Sequence, residues 1–191
     1  MVDFTIFLPV IAFFVGAFPF GYLTKRLMAF LQPDQYMYNR QQAKARLLIS
    51  PWIIAFGTLL DLIKIYLIVI IAKSFADQTF VLICATSAFI GDCFSPFLRF
   101  RGSHGIVASI GALIGFDPTL AGIMAGAYVV IFLFLQYPRM AFLLEVALLP
   151  FVLMFLGQDI TVVGFSLIVL LIVGFKHAGE IRNFLEGTTE P

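Results

Sequence analysis

Charge is scarce in this chain. Of its 191 residues only 12% are Asp, Glu, Lys or Arg, while 61% are hydrophobic, against about 25% and about 45–50% in soluble domains. With a mean hydropathy of +1.03, an ordinary water-soluble domain is excluded. The few charges nearly balance, 12 basic against 11 acidic, and no basic repeat suggests nucleic acid as a partner. Histidine occurs twice and cysteine twice. Neither Cys84 nor Cys93 has redox or zinc spacing and the histidines have no paired ligand spacing, so inert thiols, no metal and no cofactor are expected. The short alternating segments of a β-barrel are also missing, as are an internal repeat and a linker. The first apolar run begins behind Asp3 without a basic leader or small-residue cleavage site, and reads as a retained span.

What is present is a series of seven apolar runs, at about 4–23, 51–72, 79–91, 105–116, 119–136, 140–156 and 160–175. They predict an all-α, seven-helix, multi-pass membrane protein made of one integral membrane domain over residues 1–191. The third and fourth runs are short for a bilayer core of about 30 Å, so the segment between them is expected inside the protein. Phe is abundant, with 23 residues, and reads as lipid-facing surface and packing filler. Gly111-x-x-x-Gly115 and Gly122-x-x-x-Gly126 are small-residue seams of the kind that let helix backbones approach within one bundle.

The polar residues concentrate in few places. Gly91 through Gly105 interrupts the apolar pattern with Asp92, Arg99, Arg101 and a Gly102-Ser103-His104-Gly105 turn. Irregular backbone is not tolerated facing lipid, and small residues beside fixed positive charge suit a pocket for an anionic group. Asp61 and Lys64 lie three apart in a central span, hence on one helical face. They read either as a buried structural pair or as the wall of a polar cavity. The stretch 35–48, with Arg40, Lys44 and Arg46, reads as an interfacial helix on anionic headgroups.

Taken in order, these segments resemble the acyl-phosphate:glycerol-3-phosphate acyltransferase family of bacterial inner membranes. Gly16-Ala17-Phe18-Pro19-Phe20-Gly21 is similar to the family's Gly-Ser-x-Pro-Phe-Gly opening, and Asp61-Leu62-Ile63-Lys64 to its Asp-x-x-Lys. The 91–105 loop resembles Gly-His-x-Phe-Pro-x-Phe-x-x-Phe-Lys-Gly-Gly-Lys-Gly, and His177 through Gly187 the closing His-Arg-x-Asn motif. Counting without gaps lays 36–44 over a glycine-rich phosphate loop in which Asn39 is shared. Met37 then stands for the family's serine, Leu47 for its arginine with Arg46 alongside, Asp92 for a histidine, Arg101 and His104 for lysines, Ala178 for an arginine and Glu180 for an asparagine.

The resemblance implies a membrane protein of phospholipid synthesis, multi-pass in a bacterial inner membrane. Its catalytic candidates are His104, His177 and Asp92. Candidates for substrate contact are Asn39, Arg46, Arg99, Arg101, Gly102, Ser103, Gly105 and Glu180, with Asp61 and Lys64 as the intramembrane pair. His104 can equally cap its turn, and His177 can equally lie at the membrane surface. The implied partners are membrane lipid, acyl phosphate and glycerol-3-phosphate if the chain is active, and a protein partner in a membrane complex. Three readings stay open: the family reaction on a remodelled site, acyl transfer to a less anionic acceptor, and a lipid-binding or structural subunit with weak or lost activity.

Orientation follows from Lys and Arg. Seven spans put Lys25, Arg26, Arg40, Lys44, Arg46, Arg99, Arg101, Arg139, Lys176 and Arg182 on one side and Lys73 on the other. The N-terminus is therefore expected outside and the C-terminus in the cytoplasm. Single cysteines at 101 or 182 should resist a membrane-impermeant thiol reagent in intact cells and react after permeabilisation. Labelling in intact cells would reverse the orientation.

Overall fold

Proline divides the first apolar run. In the computed structural model, which describes residues 7–31, 51–75, 77–100, 102–103, 105–179 and 182, helix α1 (Leu8–Ala17) ends at Phe18 in extended backbone, φ −72° and ψ 118°. Helix α2 (Phe20–Leu31) starts afresh beyond Pro19. A residue preceding proline is pushed out of the helical region by the ring, so the run expected over 4–23 holds two helices. The rest follows as α3 (Pro51–Phe75), α4 (Gln78–Cys93), a 3-10 turn at Pro96–Leu98, α5 (Ile106–Phe116), α6 (Pro118–Leu135), α7 (Pro138–Phe155) and α8 (Ile160–Lys176). Among the described residues there is no strand.

Local signals account for several of these ends. Pro118 and Pro138 open α6 and α7 at the first turn, where the missing N–H costs nothing. Asp117 caps α6 by accepting the Thr119 N–H at 2.8 Å and the Leu120 N–H at 3.4 Å. Those bonds, the Thr119 N–H foremost, hold its carboxyl below the usual carboxylate range. Lys73 donates to the last carbonyl of α5, Phe116 O, at 2.6 Å.

Three segments, Ala55–Phe75, Gln78–Leu98 and Pro118–Leu135, are long and apolar enough to cross a membrane, and four shorter apolar helical segments complete the set among the described residues. Helix α5 has 11 residues and is about 16 Å long, half of a bilayer core of about 30 Å. A helix of that length does not by itself cross such a core.

Two close helix crossings build the centre. At Gly16 of α1 an added Cβ would lie 2.1 Å from Ala88 O of α4, and at Gly91 of α4 it would lie 2.1 Å from Phe13 O of α1. Backbone touches backbone there, so no larger residue fits. Helix α5 lies against α3 in the same manner, with Gly111 facing Leu62 O and Gly115 facing Val69. The other small-residue pair behaves differently. Gly122 and Gly126 of α6 have open space where a Cβ would be, so no described residue packs against this seam.

The core runs between α3, α4, α5 and α8, through Ile65, Val69, Ala85, Phe89, Ala112, Phe165 and Val169. Phe134, Phe155 and Phe175 are exposed on the outer surface. In a bilayer such residues meet hydrocarbon, so their exposure is no liability.

Candidate active site

The helix break at Phe18-Pro19 leaves a backbone carbonyl free of a helical partner, and a lysine takes it. Lys64, on α3, donates from Nζ to Phe18 O at 2.8 Å and to Asp92 Oδ1 at 2.8 Å. The same nitrogen lies 2.8 Å from Asp61 Oδ1, one turn back on α3. An ammonium carries three protons, and here three oxygens surround it. The Lys64 side chain is 4% exposed, that of Asp92 6% and that of Asp61 18%. The sequence-expected pair is thus part of a triad, and Asp61, though not Lys64, also lines the cavity described below.

Each carboxylate has a second tie. Asp61 Oδ2 accepts the Gly21 N–H at 2.9 Å, at the amino end of α2, where the unsatisfied N–H groups favour negative charge. Asp92 Oδ2 accepts the Ser103 hydroxyl, and the Ser103 N–H donates to Asp92 O at 2.9 Å. The loop thus folds back on the end of α4. Gly102 is required at that return, since a Cβ would sit 2.1 Å from Asp92 O. Gly105, at φ +85°, is packed under Phe89 and Cys93 and donates its N–H to Ser103 Oγ at 3.0 Å. Ser95 donates to Ala17 O at 2.5 Å, tying the far side of the loop to the end of α1.

These groups enclose a cavity of about 270 Å³ with Tyr22, Thr58, Asp61, Asp92, Ser95 and Ser103 as its polar lining, and Pro19 and Leu98 among its apolar members. A cavity of similar size, about 260 Å³, lies among Lys73, Gln78, Asp117 and Gln158. That one lacks the buried charges and the folded loop, so the first is the better candidate.

Among the sequence-nominated residues, Asp61, Asp92, Gly102 and Ser103 line the first cavity. Gly105 shapes the loop from beneath. Arg99 is exposed on a turn in left-handed backbone, φ 53°, followed by Phe100 at φ 61°. Two consecutive non-glycine residues there are uncommon and cost energy. His177, just past α8, is buried at 1% exposure, not spread on the membrane surface. Asn39, Arg46, Arg101, His104, Glu180 and the 35–48 stretch lie outside the described residues. Sequence reasoning missed Ser95, Thr58, Tyr22 and the Phe18 carbonyl. The Phe18-Pro19 step was the available signal for the last of these.

Replacing Lys64 alone by Met should cost about 3–5 kcal/mol, because two buried carboxylates are left facing each other. Adding Asp61→Asn should recover only part of that loss, and Asp92→Asn as well should recover most of it. Thermal unfolding in detergent checks the series. A single variant as stable as the triple one would contradict the triad.

Comparison with known proteins agrees with this architecture. Residues 6–187 match the glycerol-3-phosphate acyltransferase family model. A glycerol-3-phosphate acyltransferase from Methylobacillus flagellatus is 31% identical, the match covering 93% of this chain and 91% of the relative. One from Cupriavidus metallidurans is 26% identical over the same shares. The crystal structure of PlsY (YgiH), an integral membrane glycerol 3-phosphate acyltransferase in its lysophosphatidic acid form, has a TM-score of 0.81 at 19% identity, covering 97% of this chain and 94% of that one. Its glycerol 3-phosphate form gives 0.77 at 20% identity, with the same coverage. The solved structures speak for a shared integral membrane fold, and the match along nearly the whole sequence means that this chain belongs to the glycerol-3-phosphate acyltransferase family.

Proposed function

We propose that this chain is a lipid-binding member of its family in which transfer from acyl phosphate to glycerol-3-phosphate is weak or lost, and that it acts as a lipid-binding or structural subunit in a membrane that makes phospholipid. The observation that carries this reading is the state of Lys64. Its ammonium donates to Phe18 O and Asp92 and is ion-paired with Asp61, so its charge is already matched by two carboxylates. The charged groups that line the cavity among the described residues are two carboxylates, Asp61 and Asp92, while the cations Lys64 and Lys176 stand behind the lining. A dianionic acceptor in the cavity meets carboxylates and no lining cation among the described residues, and in a site of low dielectric a like charge at a few ångströms costs several kcal/mol.

The sequence supports the same direction. Met37, Leu47 and His104 stand where the family resemblance puts a serine, an arginine and a lysine. Loss of one positioned donor costs about 10²–10³ in rate in such sites. The cavity itself persists, which suits a chain that still holds lipid. In the proposed orientation, with the C-terminus in the cytoplasm, the loop over the cavity is on the cytoplasmic side.

A second reading is favoured by the hydroxyls of Tyr22, Thr58, Ser95 and Ser103 in the lining, which suit an uncharged alcohol. In that reaction the acceptor hydroxyl attacks the acyl carbonyl, the bond from carbonyl carbon to the phosphate oxygen breaks, and phosphate leaves. The hydroxyl proton passes to a base, with His177 or His104 in that role.

Purified protein supplied with palmitoyl phosphate and glycerol-3-phosphate should form lysophosphatidic acid about 10²-fold or more slowly than an active family member assayed beside it. Robust turnover that disappears in His177→Ala would overturn the reading. Turnover with glycerol and not with glycerol-3-phosphate would favour the second one.

A further inference from the structure

The loop after α4 has two edges, and one cation binds both. The chain leaves α4 at Cys93 and comes back against it at Gly102 and Ser103. Lys176, the last residue of α8, donates from Nζ to Cys93 O at 2.5 Å, to Ser103 O, and more weakly to Gly102 O at 3.4 Å. The same nitrogen stands 5.2 Å from the centre of the Phe94 ring. These hydrogen-bonding acceptors are neutral carbonyls, so this is charge-assisted hydrogen bonding and not an ion pair. Cys93 O belongs to the last turn of α4, whose carbonyls lack helical partners and favour a cation.

The position matters because of what stands on the other face of the same loop. Asp92 and Ser103 line the cavity, with the Ser103 hydroxyl on Asp92, while Lys176 is not in the lining. It grips the backbone from behind. We propose that Lys176 is a positioning residue for the cavity. By binding carbonyls on both edges it closes the loop on α4 and sets Ser103 where its hydroxyl meets Asp92. This inference rests on the reading of that cavity as the ligand site, but its test does not need turnover.

The chain carries its own reporter. Cys93 is fully buried, its sulfur 3.1 Å from the place a Cβ would take on Gly105, so the returning loop covers it. Cys84 is equally buried but lies nine residues earlier on α4, roughly 13 Å away along the helix. Loosening of the loop alone exposes Cys93, whereas loosening of the whole fold exposes both.

The experiment follows N-ethylmaleimide labelling of the full-length protein in detergent, with each cysteine quantified by peptide mass. In Lys176→Met, Cys93 should label about tenfold faster than in the wild type, the scale set by losing charge-assisted hydrogen bonds. Cys84 should keep its wild-type rate, and Lys176→Arg should restore protection of Cys93. Should Lys176→Met yield no folded protein, Lys176→Gln carries the same comparison. Unchanged Cys93 labelling, parallel exposure of Cys84, or failure of arginine to restore protection would each overturn the proposal. Because labelling is read without substrate, a chain that proves fully active would refute the reading of lost function and leave this comparison intact.

Discussion

Three oxygens from three parts of the chain lie 2.8 Å from the Lys64 ammonium, and in a hydrophobic bundle such a cluster cannot be a minor detail. A charged group within a membrane costs about 2.5–3.5 kcal/mol on insertion scales when alone. Here the cation and its two carboxylates share the cost by balancing charge. The Phe18 carbonyl, left over where Pro19 stops the first helix, is satisfied by the same ammonium. The break between α1 and α2, the middle of α3 and the end of α4 are thereby pinned to one point. Two further ties extend from it: Asp61 to the start of α2, and Asp92 to the returning loop.

Such short contacts need backbones close together, and glycine provides that. Gly16 and Gly91 let α1 and α4 touch, which brings the break in the first run beside the end of α4. Gly111 and Gly115 set α5 against α3 and so return the loop to the triad. The cavity is what remains between these crossings, with its charge already distributed. In the reading proposed above, that distribution is what disfavours a phosphate. A lysine that could meet an anion is instead matched by Asp92, where the family resemblance has a histidine.

Much of the fold was legible in the residues because its signals are local and repeated. Apolar runs, helix-opening prolines at 118 and 138, and the i, i+3 spacing of Asp61 and Lys64 are each read within a few positions. The break at Phe18-Pro19 was also present in the sequence, but the run around it is apolar on both sides, and hydropathy alone reads straight through. The third member of the triad was not legible. Asp92 is 28 residues from Lys64, and its meeting with the lysine depends on how α3, α4 and the first helix cross. Gly122 and Gly126 show the converse. Their spacing equals that of Gly111 and Gly115, yet one pair is packed and the other open, because motif spacing does not say which face of a helix finds a neighbour.

The proposed function rests on Lys64, the buried cation beside the cavity, being engaged within the protein. Two lipids that differ only by a phosphate test it most directly: a monoacylglycerol and the lysophosphatidic acid of the same chain length. Their dissociation constants for the purified wild-type protein are measured in one detergent at one ionic strength. If Lys64 is fully engaged, the neutral lipid binds as tightly as the anionic one or more tightly. A preference of about tenfold or more for the phosphate-bearing lipid, about 1.4 kcal/mol, would contradict the account.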